Sequence, residues 1–190
     1  EGKSYSSLNS KEASRVNIYR RGPYYIETHW LDVRLSDEAG NAAPIKGEVV
    51  FYSYPEKFHI GAILHVTGQL KVKRAAVVVD TRAQTCASPA ECKLDGGVRI
   101  NDFVLLSGGE SQPSCALVYP VPGGVDDVVM ERTQTGVRVS NYIYSHEAHS
   151  GATADWNEGD KLSASFEIFP AESSDVTDDF RAEIQPLLST

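Results

Sequence analysis

The stretch that decides the fold is KLSASFEIF, residues 161–169. Apolar side chains occupy every second position of this stretch, and polar or charged side chains occupy most of the positions between them. A helix, with about 3.6 residues per turn, would scatter these apolar side chains around its circumference, whereas an extended strand places them on one face. The preceding residues, Asn157-Glu158-Gly159-Asp160, are typical of a tight turn. The stretch therefore predicts a half-buried β-strand.

Similar segments recur along most of the chain. Each is rich in β-branched, aromatic or alternating apolar residues, and turn-forming residues separate them. These segments are residues 15–19, 24–35, 47–54, 69–79, 98–106, 128–133 and 137–144. A short turn containing Gly136 separates the last two, which predicts a β-hairpin.

Two of the segments change phase partway along their length. The apolar alternation is reset at Trp30-Leu31 in the first of them and at Lys73-Arg74 in the second. One extra residue is enough to reset it, so we expect at each point a β-bulge or a bend that takes the strand into another sheet. Strands that change sheets are found at the corners of β-sandwiches.

Together these patterns predict an all-β fold, an antiparallel β-sandwich of about eight or nine strands with a short C-terminal helix. The helix is expected within residues 173–187, where Ser173 or Ser174 can cap a first turn rich in aspartate. Residues 1–14 are mostly polar and are expected to form a flexible N-terminal tail. Residues 15–190 contain no repeat or linker and are expected to form a single β-sandwich domain.

The charge of the chain bears on the partners it can have. The net charge is −8, which repels phosphate backbones and anionic lipid head groups, so nucleic acid is not an expected partner. No apolar run is long enough for a membrane-spanning helix, so we expect no membrane insertion. The expected partners are a second protein or further copies of the chain, with a glycan as the alternative.

The three cysteines bear on the compartment. Cys86 and Cys92 flank the short loop Ala-Ser-Pro-Ala-Glu, and Cys115 lies further along the chain. We predict a disulfide between Cys86 and Cys92, because a loop that turns at proline can bring the two side chains together. Disulfides persist in oxidising surroundings, so the prediction implies an extracellular, periplasmic or cell-surface location. Three reduced thiols are the alternative.

Two groups of side chains could bind metal ions. His146 and His149 have Glu147 between them and could ligate zinc or copper, although two solvated loop histidines are the alternative. Five aspartates could supply carboxylate oxygens to calcium, with a solvated acidic surface or helix capping as the alternative. These are Asp126, Asp127, Asp175, Asp178 and Asp179. We expect no resident cofactor, and calcium and zinc stay open as alternatives.

Aromatic side chains could form a second kind of site. Trp156 lies in a stretch rich in glycine, alanine and asparagine, and Tyr142 and Tyr144 fall on the polar face of their predicted strand. As exposed rings, they would offer a flat platform to a sugar or to a protein. The alternative is that the rings cover the edges of the sheets.

No motif in the sequence names a reaction. Ser107-Gly108-Gly109 lacks the G-x-S-x-G frame of a nucleophile elbow, and the glycine-rich stretches lack the Lys-Ser/Thr of a phosphate-binding loop. We therefore predict a non-catalytic extracellular or cell-envelope module that acts through protein contacts, as a surface or filament subunit or an adhesin-like domain. One alternative is a carbohydrate-binding module that uses the exposed aromatic rings. The other is a metal-binding protein or enzyme that uses the histidine pair.

The strand predicted at residues 15–19 matters for contacts of this kind. It follows the polar tail, and it can pair within its own chain or add to the exposed edge of a neighbouring subunit. Pairing within the chain is the commoner outcome, and it is the one we expect here.

Overall fold

Nearly all of the regular structure is β-strand in the computed structural model, which describes residues 2–87, 96–98, 103–108, 114–120, 124–171 and 182. A short 3-10 helix, Ser7–Asn9, precedes the strands. The strands are β1 (Arg15–Arg21), β2 (Ile26–Ser36), β3 (Ala42–Ser53), β4 (Phe58–Val66), β5 (Leu70–Val72), β6 (Arg74–Thr81), β7 (Thr85–Ala87), β8 (Gly96–Val98), β9 (Phe103–Ser107), β10 (Ser114–Val118), β11 (Asp127–Arg132), β12 (Val137–Ser145), β13 (Ala154–Trp156) and β14 (Lys161–Ala171).

The strands form three sheets. The long sheet has the order β1-β2-β3-β4-β14-β10-β9-β7, the short sheet has the order β6-β12-β11-β8, and β13 pairs with β5. Every one of these pairings is antiparallel, which confirms the predicted all-β antiparallel class. The strands beyond the predicted number are short, such as β5 and β13. The predicted C-terminal helix, within residues 173–187, lies outside the described residues except for Ala182.

The main core lies between the long sheet and the short sheet. The long sheet contributes Ile60, Leu117 and Phe166, and the short sheet contributes Val128 and Val139, each with less than a tenth of its surface exposed. Apolar faces of two sheets that bury one another are what a sandwich requires. Phe166 lies on β14, so the alternation that predicted this strand also predicted which of its side chains face the core.

Both predicted phase changes are present. The β2–β3 register shifts between Trp30 and Val33, and Asp32 has a positive φ of 54° at that point. At the second point the strand is interrupted after Val72, where β5 ends in the two-stranded sheet, and it resumes at Arg74, where β6 begins in the short sheet. The first irregularity is a bulge and the second is a change of sheet.

A buried polar link joins the two main layers. The hydroxyl of Tyr119, just beyond β10, donates to Oδ1 of Asn141 on β12 at 2.7 Å, and Nδ2 of Asn141 donates to the carbonyl of Val77 on β6 at 3.0 Å. Tyr119 is 4% exposed and Asn141 is fully buried. Burial raises the pKa of the Tyr119 hydroxyl well above its ordinary range, so it stays a donor. The link helps to fix how the short sheet lies on the long one.

The N-terminal residues contact the long sheet. Ser6 forms a β-bridge with Ser36, and Arg34 Nε lies 2.8 Å from a carboxylate oxygen of Glu12. From Arg15 to Arg21 the chain pairs with β2, so the strand predicted at residues 15–19 pairs within its own chain, as expected. The flexibility of residues 1–14 and the single domain stay predictions.

Candidate functional site

Trp156 does not form part of an exposed platform. Its side chain is 5% exposed and packs with Ile45, Val66 and Val72 in a second core cluster. The interpretation of this ring as exposed is therefore wrong. The physical reason is that Trp156 pairs with Leu70 in the two-stranded sheet, and this sheet packs on the end of the long sheet.

The two tyrosines of the predicted aromatic site are half-buried. The ring of Tyr144 stacks on the ring of His149, with centroids 4.9 Å apart and planes 8° from parallel. The guanidinium of Arg74 lies over the ring of Tyr142, 5.9 Å from its centroid. Each ring is thus contacted by a neighbouring side chain, which covers part of its surface.

The predicted histidine pair is divided between two carboxylates. Nε2 of His146 lies 2.9 Å from Oε1 of Glu147, whereas Nε2 of His149 lies 2.8 Å from Oδ2 of Asp126. Within the part of the chain that the structure describes, no three histidine, cysteine or acidic side chains are arranged to hold a metal ion. A zinc site at this pair therefore stays a prediction without geometric support.

The first two candidate calcium ligands have partners within the fold. Asp126 Oδ2 accepts the backbone N–H of Ser145 at 3.0 Å, and Asp127 Oδ1 accepts the N–H of Val128 at 2.9 Å. Carboxylates that already accept backbone hydrogen bonds hold the local structure together. The other three candidates, Asp175, Asp178 and Asp179, lie outside the described residues.

Among the three cysteines, Cys115 is a free thiol. Burial raises the pKa of the Cys115 thiol, so it is held in its less reactive protonated form. Cys92 lies outside the described residues, and its pairing with Cys86 stays a prediction.

Two shallow depressions, of about 410 and 380 Å³, meet at Gly124 and Ser163. Backbone, glycine and small side chains form much of their walls, and the charged groups of the first are Asp126 and Lys161. A catalytic pair requires a nucleophile within hydrogen-bond reach of its base. Among the described residues, no hydrogen bond joins the side chains of Ser163, Lys161 and Asp126, so these depressions show no such pair.

The most unusual surface is the open end of the long sheet, defined here by Val16, Ile18, Ile26, Trp30 and Phe58. These five large apolar side chains are 55%, 49%, 44%, 44% and 48% exposed. They all lie on the face that, farther along the sheet, packs against the short sheet. Contiguous exposed apolar surface of this kind marks interaction sites, whereas single exposed apolar residues are ordinary.

The register of the strands places these side chains on one face. Val16 lies directly opposite Trp30, and Ile18 lies opposite Thr28, so the apolar face of β1 continues that of β2. The ring of Trp30 packs 5.9 Å from that of Phe51, which contacts the main core. No residue of β1 belongs to a core cluster of the described residues, and all seven are exposed. Among the residues that the structure describes, no second layer packs on this core-like surface.

β1 also leaves one of its own edges open. It is the first strand of the long sheet, and among the described residues it pairs only with β2. Three of its seven residues are arginines, of which Arg15 and Arg20 each have a side chain that is 71% exposed. Arg15 pairs with Asp32 at 2.5 Å, and Arg20 lies 3.6 Å from Glu27. The edge of an otherwise acidic protein is therefore basic.

A polar network holds β1 and β2 together on the opposite, outer face. Nε2 of His29 lies 2.8 Å from Oε1 of Glu27, and its Nδ1 lies 2.9 Å from Oε1 of Glu48. The ring of Tyr19, on β1, packs on the His29 ring with a centroid distance of 4.2 Å. A neutral imidazole can donate from only one nitrogen, so two carboxylates at hydrogen-bond distance favour the doubly protonated ring.

The pH dependence of stability tests this network. Burial alone would lower the pKa of His29, but the hydrogen bonds and charges of Glu27 and Glu48 outweigh it and raise the pKa above its ordinary value. A raised pKa in the folded state stabilises the protein in full below histidine's ordinary pKa of about 6.5, and this contribution is lost as the pH rises through the folded-state pKa. We expect His29→Gln to destabilise the protein more near pH 5.5 to 6 than near pH 9.

The measurement is urea unfolding of the parent and of His29→Gln across that pH range. Glu48→Gln is the matched control, since it keeps a hydrogen-bond acceptor but removes one of the two charges. It should remove part of the same pH dependence. A difference between parent and His29→Gln that is constant with pH would contradict a charged His29.

The sequence contained part of the signal for this site. Val16 and Ile18 alternate with polar residues, which predicted a strand with one apolar face but not whether anything covers that face. Glu27 and His29 are two apart on one predicted strand, so a shared face could have been inferred for them. Glu48 comes from the next strand, and its contact with His29 depends on register.

The sequence matches no protein-family model and no curated protein. No helix within the described ranges is both long and apolar enough to cross a membrane. The function is therefore inferred from the geometry and chemistry of the chain itself.

Proposed function

We propose that this protein is a non-catalytic module of the extracellular space or the cell envelope that acts through protein contacts, as a surface or filament subunit or an adhesin-like domain. The observation that supports the proposal is the open end of the long sheet, where five large apolar side chains are 44–55% exposed beside an open strand edge. Such a surface gains free energy when a partner covers it, at about 25 cal/mol per Å² of apolar area removed from water.

The open edge of β1 can fix the orientation of a partner that binds this apolar surface. An edge strand carries a row of backbone N–H and C=O groups that a partner strand can pair with. Apolar burial alone does not orient a partner, whereas backbone pairing fixes the direction and register of the partner chain. Together, the two features support specific recognition of a protein in preference to a small molecule.

The disulfide predicted between Cys86 and Cys92 motivates the proposed location. Disulfides form and persist in secreted, periplasmic and surface proteins and are rare where thiols are kept reduced. Location is tested by fractionating the cells that make the protein. Recovery from the cytosolic fraction alone would contradict the extracellular or envelope part of the proposal.

The contact surface can be tested by photo-crosslinking in those same cells. A benzoyl-phenylalanine replaces Ile18 in one variant and Val78 in a matched control, because Val78 is also an exposed apolar residue, at 51%, but lies on β6 of the short sheet. We expect discrete protein adducts from position 18 and none from position 78. No adduct from position 18, or the same adducts from both positions, would argue against a contact surface at the open end.

A further inference from the structure

We infer that the partner at the open end is an extended segment of another protein in which apolar and acidic side chains alternate, and that it adds to the long sheet by pairing with β1. This inference rests on the proposed function, because it names the chemistry of the partner at the same surface.

The edge of β1 is long enough to accept a strand. β1 has seven residues, and every pairing it makes in the described structure is with β2 on one side. Seven residues exceed the usual strand length of about five or six, and the irregularity between Ile18 and Arg20 leaves Arg15 to Ile18 as the regular stretch for an added strand. Backbone pairing along this edge would supply affinity, and the side chains of β1 would supply the choice of partner.

The inner face of β1 requires apolar side chains from the partner. Val16 and Ile18 point to this face and are about half exposed, and Trp30 lies beside them on β2. Side chains of an added strand would lie about 4.5–5.5 Å from those directly opposite on β1, close enough to cover them. Two apolar residues separated by one position would therefore extend the core-like face by another strand.

The charges of β1 require acidic side chains. Arg15 and Arg20 keep most of their surface exposed even with Asp32 and Glu27 nearby, and Arg21 forms no ion pair with any described side chain. A guanidinium can accept a second carboxylate while it contacts the first, because it has five N–H donors in a planar fork. Arg15 and Arg20 lie on the outer face of β1, whereas Arg21 lies opposite Ile26 on the inner face. Carboxylates on the outer face of an added strand would therefore lie beside Arg15 and Arg20.

The same arginines make a second copy of β1 a poorer partner. Two copies of β1 paired edge to edge would place six guanidinium groups on one ribbon. Like charges across a strand pair are destabilising, and charged edge strands are a common means of preventing edge-to-edge association. The arginines therefore disfavour pairing with a second copy of β1 and favour pairing with an acidic strand.

The direct test titrates the purified protein with three synthetic peptides. The first alternates valine with glutamate, the second replaces each glutamate with lysine, and the third contains the residues of the first in an order without alternation. Binding is measured by calorimetry. We expect the glutamate peptide to bind and the other two to bind at least about tenfold more weakly.

Charge reversal provides the matched variants. Arg20→Glu should weaken binding of the glutamate peptide about tenfold, because Arg20 lies opposite Glu27 on the outer face, where the peptide's glutamates would lie. The change converts a favourable cross-strand pair into a repulsive one, and it should improve binding of the lysine peptide. Arg82→Glu makes the same change in net charge at an exposed position after β6 and should change neither affinity. The gain for the lysine peptide cannot come from a folding defect, so it keeps the test informative.

Each result bears on the partner's chemistry. Equal binding of the glutamate and lysine peptides would overturn the acidic partner, and so would an Arg20→Glu variant that behaves like Arg82→Glu. If no peptide binds while position 18 still crosslinks to another protein, this inference fails and the proposed function stands. If the position 18 adduct has the mass of two copies of the chain, the partner is a second copy and the inference fails. If position 18 gives no adduct and no peptide binds, both fail.

Discussion

Asn141→Ala is expected to lower the free energy of unfolding by about 3 to 4 kcal/mol. The substitution removes the amide that accepts from the Tyr119 hydroxyl at 2.7 Å and donates to the Val77 carbonyl at 3.0 Å. Both partners would be left without a hydrogen bond in the interior, and each such group costs about 1–3 kcal/mol. The measurement is urea unfolding at constant pH, followed by circular dichroism.

A double-mutant cycle separates the free energy contributed by the hydrogen-bonded link from the effect of the lost side-chain volume. Tyr119→Phe should cost about 1 to 2 kcal/mol, and the double variant should cost less than the sum of the two single ones, because the second change removes a group that the first has already left unpaired. Asn157→Ala, at an exposed turn, is the matched control and should stay within about 0.5 kcal/mol of the parent. Strict additivity of Tyr119→Phe and Asn141→Ala would contradict a shared hydrogen-bonded link.

This link also bears on the proposed contact surface. Tyr119 extends from the strand end of the long sheet to Asn141 in the short sheet, and so helps to set which part of the long sheet is covered. The short sheet buries residues of β4, β10 and β14, such as Ile60, Leu117 and Phe166, and leaves Val16 and Trp30 exposed. The placement of one layer on the other therefore creates the open end.

The fold could be predicted from the sequence because its signals are local. Alternation over residues 161–169 depends only on which side chains follow one another, and it identified both the strand and the face that Phe166 presents to the core. The phase change at Trp30-Leu31 identified a bulge for the same reason. A period of two is a property of any pleated strand, so no knowledge of the partner strands is needed.

The candidate site could not be predicted in the same way, because it depends on whether a second sheet covers the apolar face of a strand. Val16 and Ile18 show the same alternation as Ala164 and Phe166, yet the first pair is about half exposed and the second pair is buried. Sequence alternation identifies an apolar face, whereas coverage depends on how far a second sheet reaches. The exposure predicted for Trp156 was wrong for the converse reason. Its burial depends on pairing with Leu70, which is far away in the sequence.

Gly136→Ala is expected to destabilise the protein by about 3 kcal/mol, although it adds a single methyl group. Gly136 closes the turn between β11 and β12, where its carbonyl accepts the N–H of Thr133 at 2.8 Å. A Cβ at this position would overlap the carbonyl oxygen of Thr81 and would lie 2.7 Å from Cα of Arg82. These are backbone atoms at the end of β6, so relief requires β6 and β12 to move apart and cannot come from a side-chain rotation.

Gly61→Ala is the matched control, because it makes the same chemical change in the middle of β4. There the nearest heavy atom to the added Cβ is Cβ of Val50 at 3.9 Å, an ordinary contact. Glycine within a strand costs roughly 0.5–1 kcal/mol relative to alanine, so this variant should be neutral or slightly more stable than the parent. Urea unfolding of the two variants at one pH is the comparison. Equal stability of Gly136→Ala and Gly61→Ala would mean that β6 and the turn can separate at little cost, and that the close approach at Thr81 is not a constraint on the short sheet.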